Sequence, residues 1–407
     1  MKLSFSKVPM YALWFTVLTF PLVGIRMMDD KTVQFRLSPL IIGGVVLFIG
    51  ALYMGLSRVK FTFISDAFKG IAAPLKPVTA GLAKPPAIKI ELFLLCLFLL
   101  ILPAMLSGKY MNLAIDTGIY IVLALGLNIV VGLAGLLVLG YAGFFAIGAY
   151  AYALASLNFG CPFWLGLLIG GAVSAVFGFL VGLPSLRLRG DYLAIVTLGF
   201  GELIRYIFKN LPNITGGEKG LPNELIRGEI HHPTIGPWVL SQPIYYYYLT
   251  FIFVVVTVVV LERLNNSRIG RALIAVREDE LAARTMGINA TKMKILAFVL
   301  SAAWAGFAGV LYAAKIGYIT PEGFRFEQSA LILAMVILGG MGSTLGVILG
   351  AVILYIIPWI IRDQLPAFQD YRLLIYGATM VLMMLFRPQG LISSKRRKIE
   401  LTETEEK

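Results

Sequence analysis

Apolar residues along the chain gather into about twelve runs, separated by short polar stretches: 10–25, 39–56, 90–106, 111–132, 136–157, 163–183, 192–208, 244–261, 293–315, 328–345, 346–361 and 371–387. Runs of about 17–22 residues match a hydrocarbon core roughly 30 Å thick. The pattern predicts an all-α polytopic membrane protein with about 10–12 transmembrane helices, some broken or re-entrant, and few residues left for a soluble domain.

The polar stretches set the orientation. Lys and Arg concentrate at the N-terminus, in 57–89, at Arg187 and Arg189, in 262–292 and in the tail from Lys395 to Lys398. The intervening stretches 26–38, 107–110, 158–162, 209–243, 316–327 and 362–370 are poorer in both. By the positive-inside rule, both termini and the 262–292 loop are cytoplasmic. Residues 1–88 read as an extension, with two helices and a linker rich in Pro and Lys; 89–392 form the core, and 393–407 a charged tail. Lys2 and Lys7 precede an apolar run as in a signal peptide, but no small-residue cleavage pattern follows, so the first helix is expected to stay attached.

Composition then refines this picture. The chain is 58% hydrophobic and 14% charged, with a formal charge of +13. In a soluble protein that charge would suggest nucleic acid. Here the basic residues lie in loops, so no nucleic-acid partner is expected. Cys96 lies within an apolar run and Cys161 in a short loop, which argues against a disulfide. No G-x-x-x-x-G-K-[ST] sequence occurs, and no constellation for catalysis is found. The adjacent His231 and His232 lack the partners a zinc site needs.

Glycine spacing marks the interior. Gly166 and Gly170, Gly178 and Gly182, and Gly342, Gly346 and Gly350 lie four apart, as do Ala302 and Gly306, and Ala305 and Gly309. Such faces let helices approach closely in lipid. The stretch 132–148, with Gly132, Gly135, Gly140, Gly143 and Gly148, is dense enough to predict a broken helix lining a cavity. A weaker echo occurs at 339–350. Glu202 and Arg205 sit three apart inside an apolar run, where ionisable groups face each other or a cavity. They read either as a structural pair or as a wall of a translocation path.

The segment Gly270–Ser301 is too charged to cross a bilayer, yet it is locally ordered. Asp279 can cap a short helix, Glu280 suits that helix's positive end, and Glu280 and Arg284 pair at i and i+4. Gly287 supplies a left-handed stop. Leu281, Ala282, Thr285 and Met286 share one face. Physical chemistry alone leaves open a passive solvated loop or a docking helix.

Gly270–Ile288 is similar to "G-R-A-x-x-A-x-R-E-[DN]-E-x-A-A-x-x-M-G-I" of the branched-chain amino acid permeases, and retains the Ala-Ala and Gly of the wider ABC-importer signature. The acid falls one place early, at Glu280, and Ala297 stands where that signature has Ile. Leu186–Arg205 resembles the same group's "L-R-L-R-G-x-Y-x-A-I-x-T-L-x-F-x-E", Thr215–Leu221 its "T-G-G-x-x-G-[LI]", and Gly132–Ala153 its glycine-rich opening. Asp191, Gly199 and Gly201 depart from the pattern. The matches run from about residue 110 to 392 and fit the M-type permeases of high-affinity importers.

That resemblance implies a non-catalytic permease subunit in the bacterial inner membrane, carrying leucine, isoleucine or valine. It implies a second, H-type permease, two ABC ATPases that hold ATP and Mg, and a periplasmic binding protein; no cofactor is expected on this chain. ATPase coupling would rest on Arg277, Glu278, Asp279, Glu280, Ala282, Ala283, Arg284 and Gly287, with Ala283 facing a neighbour only when the short cytoplasmic helix docks. The path would be lined by Thr197, Glu202, Arg205, Gly135, Gly140, Thr215, Gly216 and Gly217. An ion- or proton-coupled secondary transporter, or a permease for urea, amides or sugars, stays open as an alternative.

Overall fold

The computed structural model describes residues 25–27, 33–35, 103, 377 and 390–392, and residues 108–364 except 186–187, 189, 223–225, 227, 236–237 and 241. The expected spans 10–25, 39–56, 90–106 and 371–387, the linker and the tail lie outside the described residues, apart from these isolated positions. The chain divides into two units, Met1–Phe98 and Leu99–Lys407. In the first, β1 (Ile25–Met27) and β2 (Val33–Phe35) pair antiparallel.

The second unit is helical. Its elements are α1 (Gly108–Asn128), continued by a π turn over Ile129–Leu133, α2 (Tyr141–Phe159), α3 (Phe163–Ser185) and α4 (Asp191–Lys209). After the short α5 (Pro212–Thr215) come a two-residue strand pair, α6 (Pro243–Asn266), α7 (Arg268–Glu278) and α8 (Glu280–Thr285). α9 (Ala290–Ile316), α10 (Phe326–Gly339) and α11 (Thr344–Gln364) follow. Among the described residues, five helices are long and apolar enough to cross a membrane: Gly108–Leu133, α2, most of α3, α6 and α9.

α9 is the centre of the packing, lying against α3, α2 and α1, while α6 and α11 lean on α1. Close approach explains the choice of small residues. A Cβ at Gly148 of α2 would overlap the backbone of Gly306 in α9, and one at Gly306 would come within 2.6 Å of Ser174 Oγ in α3. Contact at this range rests on van der Waals packing, which is what associates helices where lipid removes the hydrophobic drive.

Two breaks interrupt the helices. The expected break near 132–148 occupies 134–140, between the π turn and α2. The run 328–345 does not cross as one helix. α10 stops at Gly339, about 21 Å long at 1.5 Å per residue and so short of the hydrocarbon core. Gly340 and Gly342 then take positive φ, and α11 starts at Thr344. Two carbonyls at the end of α10 are satisfied from afar: Leu391 N–H donates to Leu338 O at 2.8 Å and Ile392 N–H to Gly339 O at 3.1 Å.

Candidate functional site

Ahead of α9, the charged segment folds as two helices, not one. α7 was not foreseen from sequence. Ser267 caps it, accepting from Gly270 N–H at 3.1 Å, and Gly270, Leu273 and Val276 form its buried face. Asp279 ends α7 and caps α8, its Oδ1 accepting from Leu281 N–H at 2.8 Å and Ala282 N–H at 3.0 Å. Gly287 turns the chain at φ 82°.

Glu280 fastens α8 to the protein. It pairs with Arg284 at 2.6 Å, and with Lys294 Nζ at the start of α9 at 2.7 Å. The Lys294 bond, more than Arg284, holds the Glu280 carboxyl below the ordinary glutamate value near 4.5. Ala283 is 4% exposed, packed with Val276 and Ala290. It therefore faces its own chain, and the expectation that it meets a neighbour only on docking is corrected. Leu281 and Met286 are 74% and 82% exposed. Ala282, Arg284 and Thr285 are exposed beside them.

Arg277 points the other way. Its Nη1 donates to Gly132 O at 2.5 Å, and its stem lies over Gly135, where a Cβ would come within 2.6 Å of Arg277 Cγ. Gly342 N–H, in the second break, donates to Asn128 Oδ1 at 2.9 Å. Both breaks thus meet beside Arg277. The first is further held by side chains: Leu139 N–H donates to Thr197 Oγ1 at 3.1 Å, and Ala142 N–H to Ser329 Oγ of α10 at 2.8 Å.

Gly140 and Gly201 press α2 against α4, and a Cβ at Gly201 would lie 2.9 Å from Gly140 Cα. Of the residues expected to line a path, Thr197 and Gly140 are therefore buried packing contacts, and Gly135 is exposed, with the Arg277 stem on the side where a Cβ would stand. Thr215 is buried, its hydroxyl donating to carbonyls of Phe208 and Leu211, and Gly216 and Gly217 form a positive-φ turn.

Glu202 and Arg205 do meet, in the C-terminal half of α4. Arg205 Nε donates to Glu202 Oε2 at 2.9 Å, and Nη1 to Glu322 Oε1 at 3.1 Å. Glu202 Oε1 accepts from Phe326 N–H, at the start of α10, at 3.2 Å. Glu322 also binds Arg325, whose hydrogen bond is the main cause holding its carboxyl below the ordinary range. These groups line a pocket of about 420 Å³ with Lys209, Phe326 and Glu327. The sequence did not single out Glu322, Arg325 or Lys209; the alternating charges of 322–327 were the available signal. Elsewhere, Asp116 pairs with Lys315 at 2.5 Å, and the two histidines part, His231 Nδ1 to Ser156 Oγ and His232 Nδ1 to Tyr246 OH.

Residues 109–384 match the family described as branched-chain amino acid transport system, permease component. The chain belongs to that family. This permease is 41% identical over 405 residues to the high-affinity branched-chain amino acid transport system permease protein LivM of Salmonella typhimurium, covering 93% of this chain and 90% of the relative. LivM of Escherichia coli K12 is 40% identical over the same shares. A shorter likeness, 35% over 130 residues, joins the permease to LivH of Escherichia coli K12, covering 32% of this chain and 41% of LivH. No solved structure matches.

Proposed function

We propose that this chain is the M-type permease subunit of a binding-protein-dependent ABC importer that takes up leucine, isoleucine and valine. The observation that carries the reading is α8. It is a six-residue helix, capped at both ends and tied back by Glu280, yet it presents Leu281 and Met286 to the outside. A passive loop needs no such build; a helix that enters a groove on another subunit does. The LivM and LivH likenesses support the substrate class and a second, H-type permease.

In this reading two ATPases hold ATP and Mg, α8 docks on one of them, and a periplasmic binding protein delivers the amino acid. The bacterial inner membrane holds the chain with both termini and α7–α8 cytoplasmic, in keeping with the basic loops. Glu202, Arg205 and Glu322 then lie toward the periplasm and form part of the path wall. Ion coupling is less well supported, because Glu202 and Asp116 are each committed to a basic partner.

The test is co-purification. Leu281→Asp with Met286→Asp leaves the amount of folded permease unchanged and removes the ATPase subunits from the purified complex. ATPase retained in full by the double variant would refute the docking role.

A further inference from the structure

Arg277 lies at the start of the charged motif, so it reads from sequence as a surface contact for a partner. Its side chain does something else. The head donates to the Gly132 carbonyl, the stem lies where a Cβ on Gly135 would stand, and a Cβ built on Gly342 of the second break would lie 3.8 Å from Arg277 Nη1. One side chain on α7 is therefore bonded to the first interruption of the membrane helices and lies close to the second.

The chemistry makes the contact consequential. The carbonyl of Gly132 lies in the π turn, where regular helical bonding fails, and an unmet carbonyl away from water is expensive. A guanidinium donor is among the stronger partners such a carbonyl can have. Gly135 has φ 69°, and lacks the side chain that would push the Arg277 stem aside. α7 continues through the Asp279 cap into α8, and Ala283 packs on Val276, so a shift of α8 bears on α7. The break in turn leads through Leu139 and Gly140 onto Thr197 and Gly201 of α4. A displacement of α8 has a connected route of packed and hydrogen-bonded groups into the membrane part, and Arg277 is its first link.

We propose that Arg277 is a positioning residue that transmits movement of α7–α8 to the 134–140 break, and is not itself a contact for the ATPase. This rests on the importer reading for what moves α8, but the contact and its effect on the break do not.

The test uses the full permease, alone and in complex with the ATPase subunits and binding protein in proteoliposomes. Arg277→Gln, Gly135→Ala, the double variant and Arg277→Lys are compared. In the permease alone, amide hydrogen exchange over 134–140 rises at least tenfold in Arg277→Gln and in Gly135→Ala, while exchange in α9 stays as in the parent. In the complex, Arg277→Gln keeps its ATPase subunits and loses at least tenfold in uptake per ATP hydrolysed. Arg277→Lys recovers part of that loss, and the double variant is no worse than the poorer single, because both changes cut one link. Unchanged exchange over 134–140 overturns the proposal, as does loss of ATPase subunits from the Arg277→Gln complex. So does normal uptake per folded permease, which would leave Arg277 a stabilising group only. If the parent permease binds no ATPase at all, the importer reading fails, and the exchange measurement still judges the link to the break.

Discussion

Gly140→Ala is the sharpest perturbation of the α2–α4 junction. A Cβ at 140 would overlap the Thr197 carbonyl oxygen, which is backbone and cannot rotate away. The N-terminus of α2 and the middle of α4 would have to part by roughly 1 Å, a displacement that well-packed interiors resist at about 1–3 kcal/mol. The bond from Leu139 N–H to Thr197 Oγ1, now 3.1 Å, would stretch past hydrogen-bonding range. A buried donor left unmet adds about 1–3 kcal/mol. The expected loss is therefore about 2–6 kcal/mol. Gly199→Ala supplies the control on the same helix, because a Cβ there meets nothing within 4 Å. It should be neutral, or stabilising by up to about 1 kcal/mol through helix propensity. Gly201→Ala should fall between the two, with its Cβ 2.9 Å from Gly140 Cα. Denaturant titration of the purified permease in detergent, followed by tryptophan fluorescence, orders the three. Equal midpoints for Gly140→Ala and Gly199→Ala would refute the claim that this glycine is required by close approach.

Ala283→Trp should destabilise the α7–α8 pair with or without a partner, since Ala283 is already packed on Val276 and Ala290; unchanged amide exchange in α8 of the isolated permease would contradict this. Glu280→Gln should loosen α8 at neutral pH by weakening both ion pairs, read as faster exchange at Leu281–Thr285. Because the folded Glu280 carboxyl titrates below about 4.5, its stabilisation is complete above that value and is lost as pH falls through the lowered one; α8 exchange, corrected for its intrinsic pH dependence, should thus hold level from pH 7 to 5. Single cysteines at Ser65 and Glu218, in a chain lacking Cys96 and Cys161, should respectively resist and accept an impermeant thiol reagent on intact cells. The reverse pattern would invert the assigned orientation.

What could be read from sequence was what is local. The Asp279 cap, the Glu280–Arg284 pair and the turn at Gly287 span only a few residues, so their types and spacing suffice. The glycine density of 132–148 announced a break for the same reason. Ala283 was misread because its environment is tertiary: a small residue on a short helix looks the same whether it faces a partner or Val276. Arg205 was paired correctly with Glu202 three residues away, but its second partner, Glu322, is 117 positions distant. Arg277 and Gly132 are 145 apart. Arg277 and Gly135 were each singled out, one for the partner and one for the path, and only the fold shows that they touch.

Five of the polar contacts in this protein follow from one constraint. Backbone groups at a helix break or end cannot turn to lipid, so side chains from other elements must meet them. Arg277 meets the Gly132 carbonyl, Thr197 the Leu139 amide, Ser329 the Ala142 amide, Asn128 the Gly342 amide and Glu202 the Phe326 amide. The side chains that repair the backbone are then the ones that must let go, or follow, when a break changes shape. Four of the five sit on the helices α1, α4 and α10. Arg277 sits on α7, which continues into the exposed face of α8. Of these five repairs it is the one carried by the element that leads into α8, so a conformational change driven from that face should register there first.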